Sequence, residues 1–179
     1  MATNQMLDLE QRVVRTIFVS SYIPRRCGIA NFTKDLTKAL NDLNPEGLAE
    51  IICVDNENSN LYYPWEVKYK ILRNTLDTYF HAAEYVNQSS ADIVCLQHEF
   101  GLFGGDNGEF IFSFLRNLNK PVVTTLHTVL TNPSESHKLI VQRLADFSVN
   151  LVVMIPEAKS RLVEEYGINP DKIVVIHHG

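Results

Sequence analysis

Nothing in these 179 residues approaches the roughly 20 consecutive apolar residues needed to cross a membrane. The first stretch, Met1 to Arg12, is polar and mixed in charge and does not read as a secretory signal. Basic excess is also lacking. Sixteen Lys and Arg against 21 Asp and Glu leave a formal net charge of −5, so nucleic acid is not an expected partner. Cysteine is scarce: Cys27, Cys53 and Cys95 have no metal-type spacing, and an odd, scattered set fits a reducing, cytoplasmic setting. Cys53 and Cys95 each lie inside an apolar strand-like run and read as small core residues. Several catalytic signatures are missing too. No Gly-Lys-Ser/Thr follows a glycine-rich turn, no Gly-x-Gly-x-x-Gly is present, and no Gly-x-Ser-x-Gly elbow presents a serine. A zinc site built from His98, Glu99, His127 and His177 matches no local motif.

What is present is 45% hydrophobic, enough for one domain with a sizeable core and too little for two large ones. The organising stretch runs from Thr16 to Phe32: a short apolar run, a turn with Pro24, Arg25, Arg26 and Gly28, then a helical pattern. Strand, turn and helix N-terminus open a doubly wound α/β domain, and a helix start carries free N–H groups and about half a positive charge. Ile29, Phe32, Leu36, Ala39, Leu40 and Leu43 keep helical spacing, and Asn44-Pro45-Glu46-Gly47 stops that helix. A frayed lead-in, with a short helix as one option, precedes Arg15. Further strands are expected at 49–54, 67–71, 92–98, 121–127, 150–155 and 173–176. The alternation in 67–71 places it near a sheet edge. Helices are expected at 75–88, 109–118, from 133 or 134 to 147, and at 156–166, with Gly167 as a cap. Strands alternating with helices imply a mainly parallel sheet covered on both faces, as a single domain over 1–179. No internal repeat or low-complexity tract interrupts it.

Ligands of open α/β sheets bind outside the carboxyl ends of the strands. That edge collects Tyr22 to Gly28, Gln97 to Gly105, His127-Thr128 and His177-His178, and so four of the six histidines. His81 and His137 fall in helical patterns and read as surface residues. Gly28 with the N–H groups of Ile29, Ala30 and Asn31 can receive a phosphate; the plain alternative is a glycine serving a tight turn. Arg25 and Arg26 can clamp an anion or simply be solvated. His127 can hydrogen-bond a sugar hydroxyl or stabilise developing charge, or merely cap its strand. His98 and Glu99 can orient a hydroxyl, Glu99 can act as a base, or the pair can be structural. Four of the eight glycines lie within Glu99 to Gly108, which suggests a mobile loop or one closely approached by a ligand, Gly101 included.

The run Phe18 to Phe32 resembles the opening of retaining glycosyltransferases of the two-Rossmann-domain (GT-B) architecture, glycosyltransferase family four, the "group 1" transferases. Asp92 to Gly101 looks like that family's strand and acidic loop. Pro121 to Thr128 looks like its cleft strand, with His127 at the end, and Ile173 to Gly179 resembles the hinge to a second domain. The resemblance implies an N-terminal, acceptor-side domain of a hexosyl transferase, with a donor-binding domain expected beyond Gly179 and no activity in residues 1–179 alone. It implies Gly28, Ile29 and Ala30 near the donor phosphates, His127 as the catalytic candidate near the donor sugar, and Arg25, Arg26, Asn31, His98, Glu99 and Gly101 toward acceptor or sugar. It further implies a nucleotide sugar as donor, a carbohydrate or lipid-linked acceptor, no metal or other cofactor, and a cytoplasmic location with peripheral membrane attachment left open. The family's opening turn commonly carries paired glycines where this chain has Arg26-Cys27-Gly28. Two other readings remain open: a related sugar-nucleotide enzyme of epimerase or phosphorylase type, and a non-enzymatic α/β ligand-binding module.

Overall fold

A computed structural model describes residues 13–178 of the chain; the expected lead-in falls largely outside the described residues. Seven strands form one parallel sheet in the order β3-β2-β1-β4-β5-β6-β7. They are β1 (Thr16–Ser20), β2 (Glu50–Asp55), β3 (Val67–Leu72), β4 (Ile93–His98), β5 (Val122–Leu126), β6 (Asn150–Val153) and β7 (Ile173–Val175). Five helices connect them: α1 (Gly28–Leu43), α2 (Leu76–Gln88), α3 (Ile111–Arg116), α4 (Glu135–Phe147) and α5 (Pro156–Glu164). The alternating strand at 67–71 is an edge strand, with Lys68 and Lys70 exposed.

Successive side chains of a strand point to opposite faces. Ile17 and Val19 of β1, Ile52 and Val54 of β2, and Val94 and Leu96 of β4 therefore share one face, where α2, α3, α4 and α5 supply Tyr79, Phe112, Leu144 and Leu162. Fully burying one such side chain contributes about 1.5–3 kcal/mol. Phe18, Ile51 and Cys53 point the other way, into a smaller cluster closed by Leu40 of α1 and by Tyr63. The two faces are thus covered unequally, four helices against one. α1 is pinned to β1 by the Ser20–Thr33 hydroxyl pair at 2.7 Å.

Several boundaries differ from the sequence expectation. The helix expected at 109–118 is only Ile111–Arg116, preceded by a 3-10 turn, Asp106–Gly108. Gly105 (φ 77) and Gly108 (φ 84) hold left-handed backbone there, which prevents one continuous helix. The strand expected to reach Ile155 stops at Val153, because Ile155 already caps α5. A 3-10 turn at Pro170–Lys172 had no periodic signal.

The glycine-rich loop is packed rather than loose. Phe103 is wholly buried and Leu102 nearly so. The Tyr79 hydroxyl donates to the Arg73 carbonyl at 2.7 Å and accepts from the Gly104 N–H at 3.0 Å. A Cβ on Gly104 would overlap the Arg73 carbonyl oxygen, a backbone atom with little room to yield. Gly104→Ala is therefore expected to reduce stability by about 2 kcal/mol, read as a lower urea midpoint at unchanged m-value. A midpoint equal to wild type would mean that the loop yields freely.

Candidate active site

The strand order reverses direction between β1 and β4. The connection after β1 leads to α1 on one face, and that after β4 leads to α3 on the other, so a crevice opens at their carboxyl ends. The turn after β1 comes first. Cys27 is the N-cap of α1: its Sγ accepts from the Ala30 N–H at 3.4 Å and contacts the Ser21 hydroxyl at 3.1 Å. The Asn31 N–H bonds the Cys27 carbonyl at 3.3 Å. Of the four N–H groups in the expected phosphate cradle, those of Ala30 and Asn31 are thus engaged, and those of Gly28 and Ile29 have no protein acceptor among the described residues. Gly28 is exposed, its φ is not positive, and a Cβ there would meet nothing within 4 Å. Neither the turn nor the packing requires glycine at this position.

Arg25 is half-buried and its Nη1 donates to the Val54 carbonyl at 3.2 Å, which ties the turn to the end of β2. Arg26 and Asn31 are exposed. The two arginines therefore do not form a paired clamp.

His127 follows β5. Its backbone N–H donates to the His98 carbonyl at 3.0 Å, and its Nε2 lies 2.8 Å from Gln97 Oε1. A side-chain carbonyl facing the ring places the proton on Nε2 and leaves Nδ1 as an acceptor. The ring meets Phe32 of α1 edge-on at 4.9 Å, and Phe32 also touches His178 at 5.3 Å. Burial pushes the His127 imidazole below its usual pKa; the Glu99 carboxylate opposes that shift and His178 adds to it. The ring is therefore neutral at pH 7. Beneath it runs an apolar groove of about 540 Å³ between α1 and the uncovered sheet face, lined by Phe32, Leu36, Cys95, Gln97, Thr125 and Met154 among others.

Glu99 carries no salt bridge within the described residues. Its carboxylate accepts from the Thr128 hydroxyl and from the Phe100 N–H, fastening the loop after β4 to the loop after β5. His98, a sugar-contact candidate from the sequence, is wholly buried and does not line the crevice. It packs beside Phe100 and Phe103, and neither ring nitrogen has a partner. Alternation explains the correction: Gln97 faces the α1 side, so its neighbour His98 must face the helical core. Gly101 is exposed, and a Cβ added there would meet nothing within 4 Å. His137, read as a surface residue, is half-buried and stacks edge-on against Phe100 at 4.8 Å. No three His, Cys, Asp or Glu side chains come together as a metal site among the described residues.

Sequence reasoning missed Gln97 and Phe32 as partners of His127. Gln97 had one usable signal, a polar residue in an otherwise apolar strand. Phe32 had none, being one more apolar residue in a helical stripe.

The profile of Glycosyltransferase Family 4 matches residues 27–179. The chain belongs to glycosyltransferase family 4. No curated protein matches this family 4 chain. Among solved structures, it resembles the apo form of a lipopolysaccharide outer core galactosyltransferase, WaaB, with a TM-score of 0.63 at 11% identity, covering 92% of this chain and 46% of that one. A glycosyltransferase from Rickettsia africae ESF-5 gives 0.61 at 21% identity, covering 94% and 44%. A UDP-GlcNAc 2-epimerase from Methanocaldococcus jannaschii gives 0.60 at 19% identity, covering 91% and 45%. At these identities the likeness shows the shared Rossmann-like fold. The family 4 chain spans under half the length of each.

Proposed function

We propose that these residues form the acceptor-side domain of a retaining glycosyltransferase that moves a sugar from a nucleotide donor to a carbohydrate or lipid-linked acceptor. The observation that carries this reading is the neutral His127, tautomer set by Gln97, at the carboxyl edge of a family 4 domain. In this reading a second α/β domain of the full-length protein holds most of the donor, in keeping with relatives about twice as long. Gly28 and Ile29 offer their two free N–H groups and the positive end of α1 to the donor phosphates. His127 contacts the donor sugar through Nδ1. Its neutrality matters, since an imidazolium would repel charge developing at the anomeric carbon. Transfer proceeds with retention and without a metal.

The test is product analysis on the full-length enzyme with a panel of nucleotide sugars and glycan acceptors, with and without chelator. Expected is a glycosidic product of the donor's anomeric configuration, undiminished by EDTA. Free epimerised nucleotide sugar as the sole product would instead identify an epimerase on the same fold.

Gly28 supplies a second check. Gly28→Ala is expected to leave the fold intact or slightly more stable, because the new Cβ meets nothing. It should weaken the donor about tenfold by blocking backbone approach to the phosphates. Titration with donor nucleotide reads this out, and unchanged affinity would exclude the phosphates from this turn.

A further inference from the structure

Phe32 stands on α1 between two imidazoles that come from different strands. His127, after β5, meets its ring edge-on at 89° and 4.9 Å. His178, beyond β7, meets it at 48° and 5.3 Å. Both separations fall in the range in which aromatic rings attract one another through their charge distributions. Phe32 is half-buried, and it lines the apolar groove together with Leu36 of its own helix and with His178.

The contact matters because of what a single hydrogen bond leaves undetermined. The bond between Nε2 and Gln97 Oε1 fixes one atom of the imidazole, at 2.8 Å. The ring can still turn about that point, and Nδ1 sweeps an arc as it does. A perpendicular ring beside it removes that freedom, since any tilt either closes on Phe32 or gives up the contact. Hydrogen bond and edge contact together define where Nδ1 points. Phe32 can act as such a stop because its own backbone is held. Its neighbour Thr33 is fully buried, pairs with the Ser20 hydroxyl at 2.7 Å and donates to the Ile29 carbonyl at 2.8 Å.

The second imidazole belongs to a segment that has left the sheet. The Ile176 N–H donates to the Val153 carbonyl at 2.9 Å, and His178 lies two residues past that bond, at an exposed position. Displacing this segment changes the contact of His178 with Phe32, the ring that both imidazoles share. Coupling of this kind needs only a contiguous chain of packed groups. His178 also acts on His127 directly through its charge, and a test has to separate the two routes.

We propose that Phe32 is a positioning residue for His127, holding the imidazole plane against the Gln97 bond and making it respond to the position of the 176–178 segment. The orientation of the ring follows from this geometry alone; its effect on turnover rests on the reaction proposed above.

The experiment follows the His127 ring nitrogens of the full-length protein by long-range proton–nitrogen NMR at about pH 8.5, above the ordinary range of imidazole titration. Signals are assigned by their loss in His127→Ala. In the wild type the two nitrogens should be well separated, one protonated and one not. In Phe32→Leu, which keeps apolar bulk but no aromatic ring, they should converge as the tautomers mix. Phe32→Tyr, which keeps the ring, should retain the separation. His178→Ala should shift the His127 signals in the wild type and leave them unmoved in Phe32→Leu. Turnover should fall about tenfold in Phe32→Leu, with donor and acceptor KM within about twofold, and recover in Phe32→Tyr. Unchanged separation in Phe32→Leu, equal loss in both Phe32 variants, or the same effect of His178→Ala with and without the Phe32 ring would overturn the proposal. Undiminished transfer by Phe32→Leu would also overturn it and leave the transferase standing. A full-length protein that transfers no sugar but gives the expected nitrogen signals would keep Phe32 as the stop for His127 and remove the transferase reading.

Discussion

His127→Ala is expected to lower turnover of the full-length transferase by about 10²-fold, with little change in acceptor KM and with the fold retained. The reasoning starts from the hydrogen bond at 2.8 Å between Nε2 and Gln97 Oε1, which fixes the ring and leaves Nδ1 for the ligand. A fixed, neutral dipole near the reacting carbon stabilises the transition state more than the ground state, because charge develops there only on reaction. A 10²-fold loss corresponds to about 2.7 kcal/mol, within the range for removing one such group. The packing loss is smaller, since the ring is only half-buried and its main apolar neighbour is the edge contact with Phe32. Initial-rate kinetics beside a urea melt separate the two effects. Wild-type turnover in a folded variant would remove His127 from the chemistry.

The acid stability of the domain should depend on His98. Its imidazole is wholly buried with neither nitrogen paired, and burial, helped by the nearby His127, pushes its pKa down to about 3. The unfolded chain protonates the same ring near 6.5. Between those values the unfolded state binds one proton more than the native state. His98 is therefore neutral in both states above pH 6.5, and stability is lost as pH falls below it, by about 1.4 kcal/mol per unit down to about pH 3. His98→Leu, close in volume and without ring nitrogens, should flatten this limb between pH 6.5 and 4.5, as measured by urea midpoints at each pH. The slope decides the matter, whatever the variant's stability at pH 7. An unchanged slope would place the acid sensitivity elsewhere.

The parallel sheet was legible in the sequence because fully buried strands read as apolar runs, and the edge strand announced itself by Lys68 and Lys70 alternating with Tyr69 and Ile71. The carboxyl-edge position of His127 followed from the same pattern. What the sequence did not carry was side-chain direction at strand ends. Gln97, His98 and Glu99 are three consecutive polar residues, yet they point to the α1 side, the helical core and the neighbouring loop respectively. A one-residue phase decides that, and only the register of β4 against β5 fixes it. Cys27 departs from the expected glycine pair, and in the fold it caps α1 with its sulfur, a use that composition does not reveal. The glycine-rich loop misleads for a related reason. Gly104 is required by the nearby Arg73 carbonyl and Gly105 and Gly108 by left-handed backbone, so the same residue type that permits motion here serves close packing.

The central position of β1 has a consequence for the order of assembly. β1 is made before β2 and β4 but lies between them, and the bond from the N–H of Arg15, just before β1, to Asp92 spans 77 residues. At about 5–20 residues per second, translation takes about 4–15 s to supply that partner. During this interval β1 can pair with β2 and α1 can dock, but the other side of β1 remains an unpaired edge. Closing the sheet is therefore a late, long-range event, slow by its contact order, and until then the nascent chain exposes an unpaired strand edge.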